Sequence, residues 1–437
     1  MALGGRLALR RFRTLVAVAA GIALVLPLVA PGTAAAAADQ RSSRPRSLDG
    51  EAGSGMPAPA VHPALLTARA VSIKWSDVPK KWAWARPAID AVAAREDWMR
   101  DFPQNRDGTY RFRPGAIETR KRFARAVVKA FAPTAEPDPS IRFSDLDRSS
   151  RFWEYANVAV RRGWLTRNRA GAFLPDKAVR MTTVHRTLVL ALGLRSAARS
   201  LDKLHTADGR RFKTPKHFGT TVLGMRLFLR YNSAAESKDV LPWTPMPRAQ
   251  VAYSLWRAAS TPEYARADLL AQYTGIELPW MGKRGRAIVN WGVRYAGYPY
   301  IWGGEWGRRA PEPSALGGQP IPGFDCSGLM WWVLRANDSS AWRVAPPRPY
   351  RGWSLPQRTS ADMAHMTPNR LRYKRLRPGD LMFYDGDVNG VTDHVNAYVG
   401  NGFAIDSSNT PGGVTLMWVG KGWYRQHFLY GRRILPR

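Results

Sequence analysis

Asp325-Cys326-Ser327-Gly328-Leu329, continued by Met330-Trp331-Trp332-Val333-Leu334, is the stretch on which the reading of this chain turns. Cys326 is the only cysteine in 437 residues and has no intramolecular disulfide partner. It is either a small buried hydrophobe or a reactive thiol. Asp325, Ser327 and Gly328 suit a turn that opens a helix, and the apolar run behind them suits the helix itself. A thiol at such an entry faces unpaired backbone N–H groups and the positive end of the helix dipole, both of which favour the nucleophilic thiolate. Thiol catalysis further needs a base, a group that orients the base and an oxyanion donor.

Outward from the cysteine, the last 150 or so residues alternate helix and strand. Ile288, Trp291, Gly292 and Tyr295 recur at helical spacing, which predicts a helix over Arg284 to Tyr295, stopped at Gly297 and Pro299. Strands are expected at Leu381 to Tyr384, His394 to Val399, Phe403 to Asp406 and Val414 to Met417, with Gly400-Asn401-Gly402 as a hairpin turn. A helix-borne thiol facing an antiparallel sheet is an α+β layout. Of the seven histidines, His394 opens a strand after a Gly- and Asp-rich turn, where it can meet the thiol. Asp406 stands within a neighbouring strand, an unfavourable place for aspartate, which points to a role.

Tyr300-Ile301-Trp302-Gly303-Gly304, Asp325-Cys326-Ser327-Gly328, Arg358-Thr359-Ser360, Leu376-Arg377-Pro378-Gly379-Asp380-Leu381 and His394-Val395-Asn396-Ala397-Tyr398-Val399-Gly400 occur in this order. Residues 284–437 thereby resemble an NlpC/P60 domain, a papain-like family of bacterial cell-wall peptidases. The resemblance implies Cys326 as nucleophile and His394 as general base, then acid. Asp406 occupies the third polar position, usually a histidine, and would orient the imidazole through Nδ1–H. Tyr300 would help form the oxyanion hole with the Cys326 N–H. Asp325 and Ser327 match positions that hold the free amine of the stem peptide. The implied substrates are peptidoglycan stem peptides, commonly cut between D-glutamate and a diamino acid. No metal or organic cofactor is implied, and no Cys/His cluster has zinc spacing. Two features depart from the family: the Gly- and Pro-rich insert Glu305 to Phe324, and Asn396 in place of a small residue. The alternative is a wall-binding protein whose catalytic-type domain is inactive.

The first 38 residues read as a signal peptide. Arg6, Arg10, Arg11 and Arg13 precede an apolar run from Thr14 to Ala30 and the small residues Ala34 to Ala38. The expectation is a secreted, cell-wall-associated protein. Residues 39–72 are rich in Ser, Arg, Pro, Gly and Ala and read as a disordered linker. From 73 to 262 a pattern recurs three times, over about 73–133, 142–196 and 204–262. Phe112-Arg113-Pro114-Gly115, Phe173-Leu174-Pro175-Asp176 and Val240-Leu241-Pro242-Trp243 each lead into a helical run. Trp75-Ser76-Asp77 and Phe143-Ser144-Asp145 stand upstream of the first two. This pattern resembles the S-layer homology (SLH) repeat, an all-α unit that attaches proteins to anionic wall polymers. Arg120 and Arg248 match its ligand-pocket arginine, and the second unit has Arg180-Met181, shifted by one position. Residues 263–283 are expected to be a linker. The net charge of +33 suits a polyanionic partner, and without a groove-reading motif it does not point to nucleic acid.

Overall fold

The computed structural model describes residues 73–308, 319–335 and 357–434. The expected signal peptide, the 39–72 linker and the middle of the Glu305 to Phe324 insert lie outside them. The described helices are α1 (Arg86–Ile89), α2 (Arg120–Phe131), α3 (Trp153–Arg161), α4 (Met181–Ala191), α5 (Arg195–Asp202), α6 (Phe218–Arg226), α7 (Arg248–Ala259), α8 (Glu263–Tyr273), α9 (Lys283–Arg294), α10 (Cys326–Arg335), α11 (Ser360–Ala364) and α12 (Gly422–Gln426). A 3₁₀ turn and a π turn flank α1. The strands are β1 (Glu305–Trp306), β2 (Gly323–Phe324), β3 (Leu381–Tyr384), β4 (His394–Gly400), β5 (Phe403–Ser408), β6 (Gly413–Trp418) and β7 (Phe428–Arg432). No described helix is long and apolar enough to cross a membrane.

The three Pro-containing turns of the helical region meet in a closed ring of backbone hydrogen bonds. Val179 N–H donates to Glu118 O at 3.0 Å, Met246 N–H to Val179 O at 2.9 Å, and Glu118 N–H to Met246 O at 3.0 Å. Each of these residues stands two positions before its helix, α2, α4 or α7. In the first two units an upstream aspartate fixes the turn. Asp77 accepts the N–H groups of Phe112 and Arg113 at 2.8 Å each, and Asp145 those of Phe173 and Leu174 at 2.7 Å each. Those bonds hold Arg113 and Leu174 in the left-handed region, at φ 59° and 61°. The third unit has no such aspartate, and Thr244 Oγ1 takes the Leu241 N–H at 3.1 Å instead.

Arg248 corrects one expectation. Its side chain is fully buried, so it is closed to a wall polymer. Nε donates to Phe112 O at 2.8 Å and Nη2 to Met99 O at 2.9 Å, while Nη1 pairs with Glu118 at 2.6 Å and Asp101 at 2.9 Å. Arg120 is engaged in the same manner one unit on. Its Nε donates to Phe173 O at 2.8 Å and its Nη2 to Thr166 O at 2.9 Å, with the guanidinium over the Phe173 ring. In both cases the planar fork satisfies carbonyls that turning chain leaves unpaired.

Residues 263–283 are not a loose linker. α8 buries Leu269 and Tyr273, and the Tyr273 hydroxyl donates to Leu416 O in β6 at 2.8 Å. The apolar positions of α8 meet both the helical region and the sheet, which explains why this segment is ordered.

The main sheet is antiparallel, in the order β6-β5-β4-β3-β7. Period-two alternation gives it two apolar faces. Leu381, Phe383, Val395, Ala397, Val399, Ile405 and Leu416 belong to the large core shared with α9 and α10. Met382, Tyr384, Ala404 and Met417 form a second cluster with Tyr424. A Cβ at Gly292 would lie 2.5 Å from Ile405 Cδ1, so glycine lets α9 lie this close to β5. β7 was not expected from the sequence. Gly431 and Arg432 break its apolar pattern, and pairing with β3 supplies its order.

Glu118 and Asp101 share one guanidinium in a dry site. Burial, opposed by Arg248 and reinforced by Asp101, pushes Glu118 up to about 7. Arg248→Met removes the guanidinium from Glu118 and leaves Asp101 with Arg125 alone, and is expected to cost about 3–5 kcal/mol in chemical denaturation. Folded Glu118 holds its proton to higher pH than the unfolded chain, whose value is 4.5. Its contribution to stability is therefore complete below 4.5 and lost as pH rises through about 7. Glu118→Gln should remove up to ~3 kcal/mol of this decline, read from denaturation midpoints across that window.

Candidate active site

The site is built on the N-terminus of α10. Asp325 caps the helix, its Oδ1 accepting the Gly328 N–H at 2.5 Å and its carbonyl oxygen the Leu329 N–H at 3.1 Å. Cys326 is the first helical residue and is 2% exposed. A Cβ at Gly328 would lie 2.0 Å from Gly304 O, so glycine permits the close approach of α10 to the loop after Tyr300.

A buried arginine locks this corner. Arg358 Nε donates to Glu305 Oε2 at 2.6 Å, Nη1 to Asp325 Oδ1 at 3.1 Å and Ser327 Oγ at 2.9 Å, and Nη2 to Asp325 Oδ2 at 3.0 Å and Gly304 O at 3.2 Å. Burial opposes the charge, but the carboxylates of Asp325 and Glu305 outweigh it and raise the guanidinium above its ordinary value. Asp325 and Ser327 are each fully buried. This corrects the expectation that they hold a substrate amine: an internal guanidinium already occupies that position.

β4 and β5 carry the other half. Their register pairs Ala397 with Ile405, which brings Asn396 and Asp406 alongside. Asp406, fully buried, accepts three donors. His394 Nε2 meets Oδ1 at 2.7 Å, Asn396 Nδ2 donates to Oδ1 at 3.2 Å, and the Tyr424 hydroxyl donates to Oδ2 at 2.8 Å. The Tyr384 hydroxyl in turn donates to Asn396 Oδ1 at 3.2 Å, which fixes the amide. α10 packs against β4, and the Cys326 side chain lies near enough to His394 to favour its charged form. Ser407 Oγ donates to Phe324 O at 2.8 Å, tying the Asp406 strand to the chain that enters Cys326.

The charges follow from this packing. Burial disfavours a charged His394, but the Asp406 carboxylate and the nearby Cys326 overcome it and raise the imidazole well above 6.5. Burial and the neighbouring Asp406 raise Tyr424 well above 10.0, so it stays a hydroxyl donor. The arrangement can move the thiol proton onto an imidazole whose cation Asp406 stabilises.

The structure thus brings Cys326, His394 and Asp406 together, with one change of detail. Asp406 holds Nε2 rather than Nδ1, which leaves Nδ1 as the nitrogen for the thiol. The Tyr300 backbone bridges Phe324, and its N–H donates to Gly412 O at 2.9 Å, which places the residue beside the chain that enters Cys326. Asn396 points inward to the carboxylate and is fully buried. Tyr424, Tyr384 and Glu305 had no role in the sequence reading. Tyr424 lies 18 residues beyond Asp406, with nothing local to mark it. Arg358 stood in a recognised motif, but its partners are 53 and 33 residues away. Among the described residues no group of three His, Cys, Asp or Glu side chains could hold a metal ion.

Residues 297–433 match the NlpC/P60 family. Murein DD-endopeptidase MepH of Escherichia coli (strain K12) is 27% identical over 154 residues, 35% of this chain and 47% of that protein. Bifunctional muramidase/DL-endopeptidase CwlT of Bacillus subtilis (strain 168) is 29% identical over 147 residues, 33% of this chain and 35% of its own length. Peptidoglycan endopeptidase RipB of Mycobacterium tuberculosis (strain CDC 1551 / Oshkosh) is 31% identical over 140 residues, 31% of this chain and 50% of that protein. The chain spans half or less of the length of these relatives. The solved structure of the peptidoglycan hydrolase RipB from Mycobacterium tuberculosis aligns with a TM-score of 0.25 and 26% identity, covering 39% of this chain and 79% of that one. The C-terminal part of this chain is thus an NlpC/P60 domain with a helix and an antiparallel sheet, and the helical region before it lies outside the match.

Asp406→Asn removes the charge that raises His394. The imidazole titration, followed by NMR, is expected to move down toward 6.5. Alkylation of Cys326 by iodoacetamide near pH 6 should slow by about tenfold or more, because the imidazolium that accompanies the thiolate is lost.

Proposed function

We propose that this protein is a secreted, wall-associated peptidoglycan endopeptidase that cleaves stem peptides with Cys326, His394 and Asp406. The observation that carries the reading is His394, whose Nε2 meets Asp406 Oδ1 at 2.7 Å while the nearby Cys326 side chain favours its charged form. The relatives that share the domain include enzymes named as murein and peptidoglycan endopeptidases.

In this mechanism the Cys326 thiol gives its proton to His394, and the sulfur adds to the amide carbonyl carbon. The oxyanion that forms is held by the Cys326 N–H, at the start of α10, and by the Tyr300 hydroxyl. The His394 imidazolium then protonates the departing amine, and the C–N bond breaks to leave a thioester. Water, deprotonated by His394, hydrolyses the thioester and returns the thiol. Asp406 keeps the ring aimed and stabilises its cation throughout. The bond between D-glutamate and the diamino acid is the proposed target. Export rests on the composition of residues 1–38 and wall attachment on the SLH-like repeats with the charge of +33. Since Arg120 and Arg248 are spent internally, attachment would use other basic surface of that region.

The test is mass spectrometry of peptidoglycan digested by the purified protein. The expected products carry new D-glutamate carboxyl and diamino-acid amino ends. Cys326→Ala should lower the rate by at least about 10³-fold. Equal product release by that variant would sink the mechanism, and wall binding without any product would favour the inactive wall-binding reading.

A further inference from the structure

A cavity of about 580 Å³ lies along the sheet edge, between α6 and α8 on one side and β6 with the turn before α12 on the other. Neither Cys326 nor His394 lines it. Arg226, at the end of α6, reaches its wall and is only 6% exposed. Its Nη1 meets the Met417 thioether and its side chain touches the Tyr273 hydroxyl, while its Nε has no hydrogen-bond partner. No ion pair among the described residues includes Arg226. Exposed Lys421 adds a second cation to the lining, which also includes Asp268. Gln272 also lines it, and Trp418 supplies an aromatic wall.

A buried guanidinium without a counterion is costly, and an oxyanion is the ligand that relieves it, by charge and by its match to the planar fork. The volume is that of a small-molecule site. We infer that this cavity binds a small organic or inorganic oxyanion, a carboxylate or a phosphate, on Arg226 and Lys421. The occupant lies against Tyr424, whose hydroxyl donates to Asp406 at 2.8 Å, so it sits one side chain from the carboxylate that orients His394. The binding site does not depend on the peptidase reading, because ligand and readout are independent of turnover.

Isothermal titration of the full chain with succinate, and separately with inorganic phosphate, tests the site. Saturable one-site binding with a Kd below about 1 mM is expected for at least one of them. Arg226→Gln should weaken it about tenfold or more, and Lys421→Gln about threefold. Cys326→Ala should leave it unchanged. Stronger binding of succinate assigns a carboxylate ligand, and stronger binding of phosphate a phosphate ester. If Arg226→Gln does not fold, the exposed Lys421→Gln, with Trp418 fluorescence as the signal, decides the matter. Absence of saturation by either anion at about 10 mM, or parental affinity in the folded variants, overturns the site.

Discussion

A fully buried carboxylate, Asp406, is the constraint around which the C-terminal domain is arranged. An ionised carboxylate out of water is tolerable only when its lone pairs are taken by well-placed donors. Here the donors come from His394 and Asn396 on β4 and from Tyr424 on α12. Satisfying one charge therefore fixes two strands and a helix at once. It also takes up Nε2 of His394, which leaves Nδ1 as the ring nitrogen outside that bond. The same pairing that makes Asp406 tolerable raises the His394 imidazole above its ordinary value.

Arg358 performs the complementary task for Cys326. One guanidinium reaches Glu305 at the edge of the β1–β2 hairpin, Asp325 at the helix cap, and Ser327 inside the first turn. The helix start is held from the side while Asp325 caps it from below. Close approach at Gly328 completes the corner, since any side chain there would strike Gly304 O. Cys326 and His394 are thus held by two separate polar networks, joined by the Ser407 to Phe324 bond.

The helical region is part of this architecture. α6 and α8 cover the β6 edge, Tyr273 bonds Leu416 O, and Glu236 accepts the Trp302 N–H at 2.9 Å, two residues past Tyr300. An exposed sheet edge would otherwise present unpaired backbone groups to other chains. The covering helices leave a cavity beside Tyr424, lined by Arg226, which makes no ion pair among the described residues. Communication between that cavity and the thiol would pass through only Tyr424, Asp406 and His394.

Much of this was legible in local sequence. The lone cysteine at a helix entry, the histidine at a strand mouth and the alternating strands are signals carried by neighbouring residues, and local signals survive without knowledge of the fold. The recurring Pro-containing turns likewise announced three units. What the sequence could not determine is which distant groups meet. Arg120 and Arg248 look alike as motif residues, yet one is half-buried on carbonyls and the other wholly buried on two carboxylates. Asp325 and Ser327 look available for a substrate until Arg358 is found between them, and nothing near Tyr424 marks it as the third donor to Asp406. Chain composition and period decide element type, because they act over a few residues. Partnership of buried charges is decided by packing, because a charge must be matched by whatever the tertiary structure brings within hydrogen-bond reach.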